Sequence, residues 1–86
     1  MTIDEYLCEI APGCATSAMV ELAATRILRR GEPVHPQTVW AWRAAGVVKD
    51  AESAAAILRA VNFARAARGA PPATLSDLEA LIGEGQ

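Results

Sequence analysis

The chain is poor in the side chains that usually build reactive sites. Its 86 residues include one histidine, two cysteines and four aromatics. One His and two Cys without ordered spacing do not supply a metal site, so no metal and no cofactor is expected. There is no nucleophile–base set, no paired catalytic carboxylates and no phosphate-binding glycine loop, so no catalytic residue is assigned and an enzyme is not expected. No apolar run approaches the ~18–20 residues of a membrane span, which argues against a membrane protein. The segment Met1-Thr2-Ile3-Asp4-Glu5 is acidic and lacks the basic stretch of a secretory signal. Cys8 and Cys14 are too few for a secreted scaffold of this size and read as free thiols in a reducing cytoplasm, buried as small hydrophobes.

Large apolar residues are also scarce. The hydrophobic fraction is 52%, but 19 of those 45 residues are alanine. A single small domain spanning 1–86 with so diluted a core often completes it by pairing with a second copy. Alanine favours helix over sheet, and the punctuation agrees. Thr2 and Glu5 form a capping box before Ile3, Tyr6, Leu7 and Ile10, and Pro12-Gly13 ends that helix. Thr16 or Ser17 caps a second helix, with Met19, Val20, Ala23, Ala24, Ile27 and Leu28 inward, running to Arg30 and ended by Gly31. Pro36 opens a third helix, 36–45, which Gly46 ends. Asp50 caps a long helix to about Arg68 with Ala54, Ile57, Leu58, Val61 and Ala64 inward. Thr74 and Asp77 open a last short helix after Pro71-Pro72, and the tail 83–86 is expected to fray. The fold expected is all-α, about five helices and no strand.

The net charge of −2 hides a segregation along the chain. Residues 1–25 and 69–86 carry only acidic groups. All eight cations fall in 26–68, against Glu32, Asp50 and Glu52, a local +5. A local field of this kind suits a polyanion flanked by non-binding surfaces; ordinary solvated helix surface is the plainer reading.

The segment 34–48, Val-His-Pro-Gln-Thr-Val-Trp-Ala-Trp-Arg-Ala-Ala-Gly-Val-Val, concentrates the functional signal. Val39 and Trp42 are three apart and share an inward face that Val34 can join. Trp40 lies about 200° from Trp42 and must point away. Pro36, Gln37, Ala41 and Arg43 share the outward sides. This segment resembles the second half of the helix-turn-helix in small phage and plasmid transcriptional repressors of the Cro/CI-like superfamily, those of the KorC type included. The connection before it, with Gly31 late and Glu32-Pro33-Val34 following, is longer than the family's.

The resemblance implies a bacterial, cytoplasmic repressor that binds double-stranded operator DNA, with 36–45 as recognition helix and 17–30 as its support. The family's base-facing positions fall on Pro36, Gln37, Trp40 and Ala41, with Arg43 able to reach a guanine. His35, Thr38, Arg26, Arg29, Arg30 and Lys49 then serve phosphates. Gln37 is apt for adenine and Ala41 for a thymine methyl.

The last helix is apolar out of proportion to its length. Leu75, Leu78, Leu81 and Ile82, with Phe63, are expected to form a homodimer interface built on residues 70–86, or else to fold back on 50–68. A two-fold dimer would set two recognition helices ~34 Å apart, one in each of two successive major grooves. The alternative is a small helical protein-interaction module, a phage or plasmid inhibitor or antirepressor that binds no DNA and takes another repressor protein as its partner.

Overall fold

A computed structural model describes residues 2–83. It is mostly helical, with one minimal hairpin: α1 (Ile3–Ile10), α2 (Thr16–Arg26), β1 (Leu28–Arg29), β2 (Glu32–Pro33), α3 (Pro36–Ala45), α4 (Ala51–Ala67) and α5 (Leu75–Leu81).

The helix starts follow their local chemistry. Thr2 and Glu5 close the capping box on α1, and Thr74 and Asp77 close one on α5. The Asp50 carboxylate accepts from the Glu52 amide at the start of α4. The start of α2 differs: the N-cap is Ala15, which has no capping side chain, so neither Thr16 nor Ser17 performs that role.

The expected helix through Arg30 stops at Arg26. Ile27 turns extended (φ −92, ψ 105), and β1 pairs antiparallel with β2, Leu28 opposite Pro33 and Arg29 opposite Glu32. Arg30 (φ 55) and Gly31 (φ 81) both sit at positive φ, the signature of a type I′ turn, whose twist matches the strands it joins. Gly31 therefore makes a hairpin turn and not a helix cap. The switch from helical to strand spacing buries Ile27 completely and leaves Leu28 45% exposed, because neighbours on a strand face opposite ways. Below the hairpin, the Val34 amide donates to the Ile27 carbonyl at 3.1 Å.

One core unites all five helices. Ile3, Tyr6, Leu7 and Ile10 of α1 pack with Val20, Ala23 and Ala24 of α2, Val39 and Trp42 of α3, and Ala54, Ile57, Leu58 and Val61 of α4. Ala64, expected inside, is half-buried. The last helix folds back: Leu81 is buried in the protomer's own core, Leu78 and Ile82 pack against it, and the Val48 amide donates to the Leu81 carbonyl at 3.0 Å. Those three are therefore not a free dimer surface, whereas Leu75 and Phe63 stay exposed. Cys8 and Cys14 are exposed and unbridged. Cys8 lies off the inward stripe of α1, and Cys14 lies in the irregular segment before α2. Of the tail expected to fray, residues 84–86 lie outside the described residues.

Polar contacts lock the helices together across long sequence distances. Glu9 of α1 accepts from Arg65 Nε and Nη2, both at 2.8 Å, and also from Arg68. Arg26 donates to the Ile10 carbonyl at 2.6 Å, satisfying the C-terminal end of α1. The buried Tyr6 hydroxyl lies beside this cluster, and burial, with the Asp77 carboxylate nearby, raises its phenol.

The Arg65 hydrogen bonds hold the Glu9 carboxyl at about 2, well below its ordinary 4.5. A carboxylate depressed in the folded state adds stability above its unfolded pKa and loses it as pH falls through the folded value. Glu9→Gln should lower stability at neutral pH by on the order of 2–3 kcal/mol. The gap between variant and wild type should narrow between pH 4.5 and about 2; urea unfolding of both proteins across that range measures it.

Candidate functional site

The third helix is held by its ends and one face. At its start, His35 is the N-cap: its Nδ1 accepts from the Gln37 amide at 3.1 Å. That assignment places the hydrogen of the neutral ring on Nε2. Pro36 fills the first turn, where a missing N–H costs nothing. At the other end Gly46 adopts the left-handed conformation (φ 78) and its amide donates to the Trp42 carbonyl at 2.8 Å. Val39 is fully buried and Trp42 is 9% exposed, with Val34 buried just before the helix.

The opposite side of α3 faces outward as the spacing requires. Gln37, Trp40 and Ala41 are exposed, as are Ala44 and Ala45 further along, while Pro36 and Thr38 are half-buried. Trp40 keeps 39% of its surface open. The two indoles thus divide as their two-residue separation demands, one in the core and one on the surface.

Arg43 is engaged within the protein. Its Nε donates to Asp4 Oδ1 at 2.7 Å and its Nη2 to Asp4 Oδ2 at 3.2 Å, a two-pronged pair. Its guanidinium also stands 5.1 Å from the Trp40 ring centre, within cation–π range. The hydrogen bond from Arg43 is the main reason the Asp4 carboxyl is lowered. Arg43 therefore ties the start of α1 to the outer edge of α3. It is not a free hand reaching for a base.

The expected phosphate contacts do not assemble into a clamp around α3. Arg26 caps α1. Arg29 donates to the buried Ser53 hydroxyl at 2.8 Å and lies 3.9 Å from Asp50. Arg30, 82% exposed, pairs with Glu52 at 3.0 Å. Arg29 and Arg30 sit on the hairpin, not on a supporting helix. His35 and Lys49 are exposed, and Lys49 has no ion pair among the described residues. Folding thus offsets part of the charge segregation of the sequence. Asp4 and Glu9, from the acidic N-terminal stretch, return to pair with Arg43, Arg65 and Arg68.

Two features of the structure have no counterpart in the sequence-based expectations. Ser53 is a buried polar residue that links the hairpin to α4 by accepting from Arg29 and donating to Asp50. An apolar groove runs along α4 past Leu28 and Phe63; the recurrence of Ala60, Phe63, Ala64 and Ala67 at helical spacing was the signal for it. Among the described residues no group of three or more His, Cys, Asp or Glu could hold a metal ion, and no helix is long and apolar enough to cross a membrane.

No protein-family model matches the chain, and no curated protein or solved structure matches it.

The burial difference between the indoles has a direct test. Trp42→Ala should cost about 3–5 kcal/mol, as for other large core residues. Trp40→Ala, which gives up the Arg43 guanidinium over its ring, should cost under about 1 kcal/mol. Denaturant unfolding of the two variants checks both values.

Proposed function

We propose that the protein is a sequence-specific DNA-binding transcriptional repressor that presents the outer face of α3 to the major groove of an operator. One observation carries the reading. The helix is fixed by buried Val39 and Trp42 and capped at both ends, while Gln37, Trp40 and Ala41 stand side by side on its open face. A rigid helix with an amide, an aromatic and a methyl outward has the chemistry of base-edge recognition. The resemblance of residues 34–48 to Cro/CI-like repressors supports the same assignment and supplies the word repressor. In this reading Gln37 and Ala41 meet base edges, while Trp40 packs against the sugar–phosphate wall. Pro36 and Thr38 sit at the leading end of the helix, and exposed His35 and Lys49 are the groups placed to meet phosphate. Two copies on an inverted repeat would match the pseudo-two-fold symmetry common to such operators. The contact between copies would then have to exclude Leu78, Leu81 and Ile82, which each protomer uses internally.

The charge pairing favours a second reading. Arg29, Arg30 and Arg43 are each met by a carboxylate, and a surface so balanced draws less affinity from phosphates. That suits a helical protein-interaction module whose partner is another protein, such as a repressor.

Selection of bound sites from random duplex DNA separates the two. Repressor function predicts enrichment of one motif. Gln37→Ala should relax a single position of it by about 1–3 kcal/mol. Asp4→Asn, which releases Arg43, should strengthen binding to every sequence and steepen the salt dependence by about one unit. No enriched motif, or unchanged affinity after Gln37→Ala and Trp40→Ala are combined, overturns the DNA reading.

A further inference from the structure

The longest helix carries two apolar faces. Ala54, Ile57, Leu58 and Val61 of α4 are buried against the core. Ala60, Phe63, Ala64 and Ala67 recur at i, i+3, i+4 and i+7, so they lie together on another side. With Leu28 of the hairpin they line a half-open groove of about 640 Å³. Phe63 is 81% exposed there, although it is the chain's one phenylalanine. A large apolar side chain left in water beside an apolar hollow marks an interaction site.

The charges around the groove select the occupant. Arg26 and Arg68 line it. Arg59 donates to the Leu28 carbonyl at 3.3 Å, which sets a third guanidinium at the same edge. Among the described residues Glu9 is the one carboxylate of the lining, and its two oxygens are already held by Arg65 and Arg68. The rim is therefore cationic around an apolar floor. A second copy fits this badly: if two α4 helices crossed antiparallel with Phe63 against Ala64, Arg59 of one copy would stand opposite Arg68 of the other, cation against cation. An apolar stripe edged with carboxylates meets both the floor and the rim.

We infer that this groove docks an acidic amphipathic helix of a partner protein, whose apolar stripe covers Phe63 and Leu28 and whose carboxylates pair with Arg26, Arg59 and Arg68. The docked helix follows the i, i+3, i+4, i+7 spacing of helix-in-groove recognition. None of the lining residues belongs to α3, so a helix in the groove leaves Gln37, Trp40 and Ala41 open.

The test is a selection against the intact chain. The library displays helical peptides of ~20 residues, long enough to lie along α4, with a fixed Leu/Phe stripe and flanking positions free to be Asp, Glu, Lys or Arg. Enrichment of Asp and Glu is expected. The selected peptide should lose at least about tenfold in affinity against Phe63→Asp, and against Arg59→Glu it should lose affinity while its Lys-flanked counterpart gains. Both side chains are exposed, and circular dichroism of each variant confirms that it is folded. No enrichment, enrichment of Lys and Arg, or equal binding of acidic and basic peptides overturns the inference. So does a wild-type dimer in sedimentation that Phe63→Asp disperses, since a second copy would then be the occupant.

Discussion

Glu9 holds Arg65 of α4 and Arg68 at its C-cap from a single turn of α1, and the arrangement of the other helices depends on that grip. The carboxylate is only 15% exposed, and a charge so largely buried is tolerable only when its hydrogen-bonding capacity is filled. Two guanidiniums fill it. With α1 set against α4 in this way, Tyr6, Leu7 and Ile10 enter the core, and the C-terminal end of α1 comes within reach of Arg26 on α2. Asp4, one turn earlier than Cys8, then arrives beside Arg43 and fixes the outer edge of α3. One short helix thereby sets the positions of three others, which is how a chain so short of large apolar residues keeps a single arrangement.

The alanine content has two opposite effects. It places small side chains on the buried faces of α2 and α4, at Ala23, Ala24, Ala54 and Ala56, which suits a small close-packed core. It also leaves little large apolar area to bury, so the polar clamps between helices carry an unusual share of the specificity of packing. Even so, Phe63 remains outside. The core's remaining volume is closed by Leu81 and Val48 instead, through the short α5.

What could be foreseen from the residues was local. The capping boxes at Thr2–Glu5 and Thr74–Asp77, the Asp50 cap, Pro36 and Gly46 each act within a few residues, so the helices they bound are legible in order. The inward pair Val39 and Trp42 and the outward Trp40 follow from helical spacing alone. The hairpin was not legible, because a glycine after two arginines signals a helix end and a turn equally well; the burial of Ile27 and Val34 decides between them, and that is a tertiary fact. The ion pairs were invisible for a similar reason. Arg43 and Asp4 are 39 residues apart, and Arg65 and Glu9 are 56 apart. Nothing in a charge count tells which carboxylate will meet which guanidinium, so a basic middle with acidic ends became a mixed surface once folded. Folding back of α5 was one of the two arrangements its apolar stripe allowed; choosing it required knowing that Val48 needed a partner.

The hairpin separates two roles that a plain turn would merge. Its base is stapled by the bond from Val34 to Ile27, both buried, and that base fixes how α2 leads into α3. Its tip, Arg30 and Gly31, lies in solvent and adds nothing to the core. Backbone that is exposed and bridged below by its own hydrogen bonds tolerates lengthening. Evolution or an engineer could therefore graft extra residues between positions 30 and 31, for a label or a longer finger, while the frame that aims α3 stays as it is.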